Sequence, residues 1–228
     1  MQAGAELVSL QLETLFVFDA RGSILSTREP HATAGPFFML IRSTVDVRWA
    51  IRTDVSQVVA DELNLLAREE PPLSDLHNAP IHADRYQSLL GNRTHSGPAF
   101  KFPQAIIQPA DVVLVEDEQL LDRHFKGWIP GEIRAGRAPM LAVLDHGDPV
   151  SICFSARRSN KAVEAGVETA PEFQGRGLGQ RVVAAWALAV RSSGQIPLYS
   201  TDWSNAASLA VARKLGLEVY AVDWSISD

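Results

Sequence analysis

The sequence has 228 residues, of which 46% are hydrophobic and 21% are charged, and its formal net charge at neutral pH is −6. These values are typical of a globular protein with one large or two small domains, and they exclude disordered and fibrous classes. The negative charge argues against nucleic acid or an anionic membrane as the main partner, because the overall field repels polyanions. No apolar stretch reaches the roughly 20 residues of a membrane span, and no signal peptide is recognisable, so we expect a cytoplasmic protein.

Cysteine and histidine usage argues against a metal or covalent site. The single cysteine, Cys153, can form neither an internal disulfide nor an all-cysteine metal site. The six histidines show no i,i+4 pair and no HExxH pattern, so no metal is expected. Cys153 alternates with Ser151 and Ser155 on a predicted strand, and we interpret it as a packing residue and not as a nucleophile.

Residues 1–105 are predicted to form an N-terminal α/β subdomain, whose role the sequence does not reveal. The apolar and turn patterns predict a hairpin over 14–25, a strand over 37–42, a helix over 54–70 with Asp54 as N-cap, and a helix over 83–90. After these elements, Gly97-Pro98 and Pro103 indicate an irregular segment. We therefore place a subdomain boundary near residue 105.

Residues 106–228 have the alternating pattern of an α/β domain. The predicted elements are a strand over 112–115, a helix from 116, a hairpin with strands 140–144 and 150–156, a strand over 162–169, a helix over 178–192, a strand over 196–201, a helix over 205–215 and a strand over 217–222. This order is typical of a mixed α/β (α+β) sheet in which antiparallel strands precede a crossover helix.

A glycine-rich turn joins the strand over 162–169 to the helix that follows. Its sequence is Gln174-Gly175-Arg176-Gly177-Leu178-Gly179. The backbone N–H groups at such a helix N-terminus lack intrahelical partners, and glycines allow a bulky anion to approach them closely. The glycine spacing fits neither the Rossmann fingerprint nor a Walker loop. The alternatives at this point are a diphosphate cradle of another kind and a plain tight connection.

Two segments resemble the GNAT superfamily of acetyl-CoA-dependent N-acetyltransferases. Residues 167–179, with Pro171-Glu172-Phe173 before the glycine turn, resemble the acetyl-CoA motif of that family, [QR]-x-x-G-x-[GA]. Residues 205–217, which run from Asn205 to Lys214-Leu215-Gly216-Leu217, resemble its second motif. The resemblance covers about residues 106–228 and implies a GNAT acyltransferase fold there.

The resemblance implies acetyl-CoA as cosubstrate and assigns residues to it. The backbone of Val167, Glu168 and Thr169 would pair with the pantetheine arm, and one N–H there would stabilise the charge that develops on the thioester oxygen. Asn205 would bind the cofactor as well, although it can equally be a simple helix N-cap. The remaining cofactor-binding candidates are Gln174, Gly175, Arg176, Gly177, Leu178, Gly179 and Ser208.

The amine acceptor must lose a proton, so a carboxylate is expected near the strand over 162–169. Glu164 and Glu168 are candidates, and alternation places both on one face of that strand with Gly166. Asp202, after the next strand, is a third, and each of the three can also be read as a solvated carboxylate. Many GNAT enzymes have a tyrosine as general acid at the position that is Ala212 here; Tyr199 and Tyr220 could substitute for it, although each can also be read as a half-buried strand aromatic.

The sequence thus predicts an N-acetyltransferase that works by direct attack in a ternary complex. The alternatives are a non-catalytic acyl-CoA-binding or sensor module and an acyltransferase with a longer acyl-CoA. The amine acceptor cannot be read from the sequence, although the net acidity favours a cationic one such as a polyamine or aminoglycoside. A homodimer is compatible with the sequence.

Overall fold

The computed structural model describes the backbone of residues 2–228 and the side chains from Glu6 onwards. The helices in this part of the chain are α1 (Gln2–Leu15), α2 (Gln57–Glu69), α3 (Ala83–Leu90), α4 (Leu178–Ser192) and α5 (Ala206–Lys214). The strands are β1 (Phe16–Phe18), β2 (Ile24–Thr27), β3 (Phe38–Arg42), β4 (Val47–Ile51), β5 (Thr94–Lys101), β6 (Val113–Leu114), β7 (Leu141–Asp145), β8 (Asp148–Arg158), β9 (Ala162–Thr169), β10 (Ile196–Ser200) and β11 (Glu218–Ile226). None of the described helices is long and apolar enough to cross a bilayer.

Nine strands form one twisted mixed sheet in the order β4-β3-β11-β5-β10-β9-β8-β7-β6, and β1 and β2 form a separate ribbon. Within the nine-stranded sheet, β9 and β10 are parallel and the other neighbours are antiparallel. The predicted mixed α/β fold class is confirmed. The sheet combines strands from both sides of residue 105, and the boundary placed there remains a prediction.

Strand β5 lies between β10 and β11 and pairs with both. The expectation of an irregular segment at Gly97-Pro98 was therefore wrong. Gly97 marks a close approach of two backbones: a Cβ atom built on it would lie 1.7 Å from the carbonyl oxygen of Thr201. A glycine within a strand often marks a place where another backbone approaches closely.

The two faces of the sheet are covered differently. Helix α4 packs on one face, where Trp186 and Cys153 are fully buried. Burial raises the pKa of the Cys153 thiol well above its usual range, which agrees with a packing role. Helix α1 covers the other face over β9 and β10 through Leu10, and residues 115–138 cover it over β7 and β8. The site described below lies between these layers.

Local signals placed many of the other elements correctly, but one cap and one helix were predicted wrongly, and strand β4 and helix α1 were not predicted. Asp54 is not the N-cap of α2, because its carboxylate accepts hydrogen bonds from Arg52 and Ser56 occupies the capping position. The helix expected from residue 116 is only a 3₁₀ turn over Glu118–Leu121.

We expect Gly97→Ala to lower the free energy of unfolding by about 3 kcal/mol, the upper end of the usual cost of overpacking. The added methyl group would meet backbone atoms of Thr201 and Asp202, which cannot move aside without disturbing β10. Chemical denaturation would measure the change. Gly127→Ala is the matched control, since nothing lies within 4 Å of its added Cβ, and it should change stability by less than about 0.5 kcal/mol. Equal stability of the two variants would contradict the placement of β5.

Candidate active site

The central feature of the site is a wedge between β9 and β10. These strands pair over only three positions, from Ile196 opposite Ala162 to Leu198 opposite Glu164. Beyond this point β9 stays with β8, and β10 stays with β5. Residues 165–169 of β9 therefore turn backbone groups towards β10 without a ladder partner there. Unpaired backbone groups need another hydrogen-bonding partner, so the wedge is suited to an extended polar ligand.

A cleft of about 570 Å³ opens from the wedge towards the glycine turn and α5. Val167, Glu168, Thr169, Gln174, Gly175, Gly177, Leu178, Gly179, Asn205 and Ser208, all predicted from the sequence, line it. Arg176 does not line the cleft, because its guanidinium group lies over the ring of Phe173 and donates to the carbonyl of Glu172. Lys214, which the sequence analysis did not single out, lines the cleft and adds a positive charge.

The glycine turn forms a cradle at the N-terminus of α4. Gly175 and Gly177 have φ values of +75° and +77°, in the region that favours glycine, and no side chain caps the helix at Gly177. A Cβ atom on Gly179 would reach Val211, Val167 and Thr169 at 3.4–3.8 Å, so the missing side chain keeps the floor of the cleft open. Free N–H groups and the positive end of the helix dipole suit a diphosphate.

Two polar side chains in the first turns of α4 and α5 have different roles. Oδ1 of Asn205 accepts a hydrogen bond from the Ser208 N–H at 3.0 Å, which makes Asn205 the N-cap of α5. Oε1 of Gln180 is buried beside the cleft and has no partner among the described atoms. A buried acceptor without a donor is costly, so Gln180 is suited to bind a ligand that donates to it.

Glu164 lies at the apex of the wedge, on the sheet face away from α4. Its side chain is almost fully buried, with a residue exposure of 4%. The Ser200 hydroxyl donates to one carboxylate oxygen, and Nε2 of Gln11 in α1 donates to the other at 3.3 Å. Burial raises the pKa of Glu164, and this effect outweighs the hydrogen bonds, which lower it.

Glu168 occupies the exposed end of β9 and lines the cleft. Partial desolvation raises its pKa, while the positive charge of Arg137 acts in the opposite direction. The Phe154 ring covers Gly166, where an added Cβ would lie 2.5 Å from ring atoms. The ring therefore lies over the position between Glu164 and Glu168 on their common face, and the two carboxyl groups have different surroundings, since Glu164 is buried and Glu168 is exposed.

Asp202 lies in the loop after β10. Its carboxylate forms an ion pair of 3.0 Å with His95 and accepts a hydrogen bond from the Ser204 N–H at 2.6 Å. Hydrogen bonds from Ser204 are the largest cause of its lowered pKa. A stabilised carboxylate of this kind is a weak proton acceptor.

The structure adds a buried polar group that sequence reasoning missed. Asp223 of β11 is only 6% exposed, and its Oδ1 has no partner among the described atoms. Burial raises the pKa of Asp223 to about 7, and the charge of Glu164 contributes to the shift. A single acidic residue within an otherwise ordinary strand was the only available signal, and it did not reveal which groups lie nearby. No metal-ligand cluster is present among the described residues.

The capping role of Asn205 can be tested by comparing two variants. We expect Asn205→Ala to lower the free energy of unfolding by about 1 kcal/mol, because the Ser208 N–H loses its acceptor. Asn205→Ser should retain most of the stability, since serine is also a good N-cap. Thermal or chemical denaturation of the ligand-free protein measures both. An alanine variant as stable as the wild type would show that Asn205 is not needed as a cap.

Comparison with known proteins finds one matching family model and several similar solved structures. Residues 140–221 match the family model for GNAT acetyltransferases. No curated protein matches the sequence. A putative GNAT acetyltransferase from Novosphingobium aromaticivorans aligns with 58% of this chain and 64% of its own, at 20% identity and a TM-score of 0.49. A GCN5-related N-acetyltransferase-like protein from Streptococcus suis aligns over 84% of both chains, at 18% identity and a TM-score of 0.49. Residues 140–221 are therefore similar to the GNAT acetyltransferases.

Proposed function

We propose that the chain is an N-acetyltransferase that moves an acetyl group from acetyl-CoA to an amine by direct attack in a ternary complex. The wedge between β9 and β10 is the observation that carries this proposal, because it joins an unpaired strand edge to an anion cradle. A single ligand with a diphosphate and an amide-containing arm matches both parts. The single cysteine of the sequence and the proposed cosubstrate, acetyl-CoA, favour a cytoplasmic location.

The groups that line the cleft are the ones that we propose to bind the cosubstrate. The N–H groups of residues 175–179, together with Lys214, would hold the diphosphate, and the backbone of residues 167–169 would hold the pantetheine arm. Acetyl-CoA supplies a thioester whose carbonyl carbon is already activated. A fixed N–H on the open edge of β9 would stabilise the negative charge that forms on the thioester oxygen during attack.

Glu164 is the proposed general base. It lies at the apex of the wedge and is shielded from water, and burial raises its pKa, which makes the carboxylate a stronger base. Glu168 lies at the exposed end of β9, where we propose that it positions the bound groups. Asp202 is the weakest of the three candidates because its pKa is lowered.

The leaving thiolate does not require a tyrosine acid in this proposal. Ala212 is buried in the α4 core and carries no polar group. Tyr199 is buried as well, and its pKa is raised to about 12, mainly by burial. Tyr220 donates its hydroxyl proton to Gln11. Since a thiol is a fair leaving group, the proton released by the attacking nitrogen suffices to form free coenzyme A.

Calorimetric titration with acetyl-CoA tests the cleft assignment. We expect micromolar binding to the wild type and at least a tenfold loss, about 1.4 kcal/mol, for Gly179→Asp, whose side chain occupies the floor of the cleft and repels the diphosphate. An aspartate in the first turn of α4 favours the helix, so misfolding would not explain the loss.

Gly127→Asp is the matched control for this titration, because Gly127 is exposed and has nothing within 4 Å of its added Cβ. It should bind like the wild type. If the wild type itself does not bind acetyl-CoA, the proposed cosubstrate is wrong. If both variants bind equally well, the cosubstrate lies elsewhere.

The assignment of the base is tested by thiol release with a panel of amines. We expect Glu164→Gln to lower kcat by 10²- to 10⁴-fold, the usual contribution of a general base, with little change in the KM for acetyl-CoA. Glu168→Gln should lower kcat by less than about tenfold, and Asp202→Asn less still. The reverse order of Glu164→Gln and Glu168→Gln would move the base to Glu168.

A further inference from the structure

A second cavity opens at the other end of α4 from the cleft. Its volume is about 590 Å³, within the range of ordinary small-molecule sites. Ala189, near the C-terminus of α4, lines this cavity, whereas Gly179, near the N-terminus, lines the cleft. At the usual rise of an α-helix these two residues are about 15 Å apart. The cavity is therefore a separate candidate site.

Most of the wall of this cavity is apolar. Val115, Ile133 and Met140 line it with side chains that are themselves buried. Leu114 lies beside them and is 57% exposed. An exposed leucine at the edge of a cavity is apolar surface that an apolar ligand can cover, and covering it is favourable.

Arg158, the last residue of β8, supplies the charge inside the cavity. Its Nη2 donates to the carbonyl oxygen of Ala138 and lies 3.4 Å from Oγ of Ser155. Nε is buried without a partner, and Nη1 has no hydrogen-bond acceptor among the described atoms. The neighbouring Arg157 is paired with Glu29, whereas no described carboxylate forms an ion pair with Arg158. Burial lowers the pKa of Arg158, as expected for a guanidinium group without a counter-charge.

The other polar groups around the cavity contribute less. Arg134 and Glu116 line it with opposite charges, and both are exposed, so water and salt screen them. Ser193 and Gln195 complete the rim, and each side chain donates a hydrogen bond to a backbone carbonyl group. Among the described residues that line the cavity, Arg158 therefore provides the partly shielded charge that a ligand would meet.

We propose that this cavity binds a small organic carboxylate with an apolar body, in which the carboxylate pairs with Arg158 and the body packs against Leu114 and Met140. Guanidinium and carboxylate groups match in charge and in the spacing of donors and acceptors. The net charge of the chain is −6, which repels anions in general, so specific binding of an anion requires a site of this kind. The inference goes beyond the proposed acetyl transfer and does not depend on it.

Calorimetric titration with phenylbutyrate tests this site. We expect saturable binding with a Kd of about 1 mM or tighter, the affinity that the usual free energy per atom gives a ligand of this size. The neutral phenylbutyramide has the same apolar body but lacks the charge that meets Arg158, so it should bind at least tenfold more weakly. Absence of saturable binding by the carboxylate, or equal affinity of the acid and the amide, overturns the inference.

Variants of Arg158 identify the group that recognises the anion. Arg158→Gln should lower the affinity for phenylbutyrate at least tenfold, and Arg158→Lys, which keeps the charge, should retain part of it. The carbonyl oxygen of Ala138 also accepts a hydrogen bond from the Ser155 hydroxyl at 2.7 Å, so it keeps a partner in both variants. Unchanged affinity in Arg158→Gln contradicts the proposed site.

Two further variants are the controls for this titration. Arg21→Gln removes the same charge from an exposed turn and should leave the affinity for phenylbutyrate unchanged. Gly179→Asp fills the floor of the cleft and should also bind phenylbutyrate like the wild type. Loss of phenylbutyrate binding in Gly179→Asp would place the carboxylate in the cleft and overturn the inference.

Amide chemical shifts of the wild type locate the ligand even if Arg158→Gln does not fold. Phenylbutyrate should move the N–H resonances of Leu114, Ile133 and Ala189 and leave those of Gly175 and Gly177 in place. The reverse pattern would contradict the inference. Neither pattern bears on the proposed function, which the titration with acetyl-CoA tests separately.

Discussion

The separation of β9 and β10 after three paired residues is the constraint on which the rest of the site depends. A parallel ladder that stops inside a sheet leaves backbone groups without partners, and such a defect persists only if each strand is held from its other side. Strand β8 holds β9 through Thr169, and β5 holds β10 through Ser200. The wedge therefore forms because β8 and β5 hold β9 and β10 from their outer sides, and these two strands set its width although they do not line it.

This dependence gives the N-terminal part of the chain a direct share in the site. Strand β5 comes from residues before position 105, yet it fills the place between β10 and β11. Gly97 permits this close fit, because any side chain there would meet the backbone of Thr201. Helix α1 supplies Gln11 to the carboxylate of Glu164. Removing these residues would leave an open sheet and an uncovered carboxylate, so folding and site formation are coupled.

Sequence patterns predicted what is encoded locally. Strand β9 was placed at its observed bounds, and the glycine turn and the Asn205 cap were recognised because each depends on a few adjacent residues. Strand β5 was missed because Gly97-Pro98 reads as a break until β10 and β11 provide partners on both sides. The turn of Arg176 towards Phe173 was equally invisible, since arginine in an anion loop is normally read as a ligand.

The buried polar side chains around Glu164 could not be predicted from the sequence. Gln11, Ser200 and Tyr220 are far apart in sequence, and none belongs to a recognisable pattern, so only the sheet order and the packing of α1 bring them to Glu164. Burial there outweighs the hydrogen bonds from Ser200 and Gln11, which is why the pKa of Glu164 rises in spite of two donors. Such an arrangement costs stability, and buried groups with shifted pKa values cluster at functional sites.

The family match begins at residue 140, whereas part of the environment of the proposed base comes from helix α1. The cradle for the diphosphate lies inside the matched region, and it depends on backbone groups that any chain with these glycines could present. Gln11 lies outside that region, and it donates a hydrogen bond to the carboxylate of Glu164. The part of the chain proposed to bind the cosubstrate and the part that surrounds the proposed base are thus different, so the two can vary independently within one sheet.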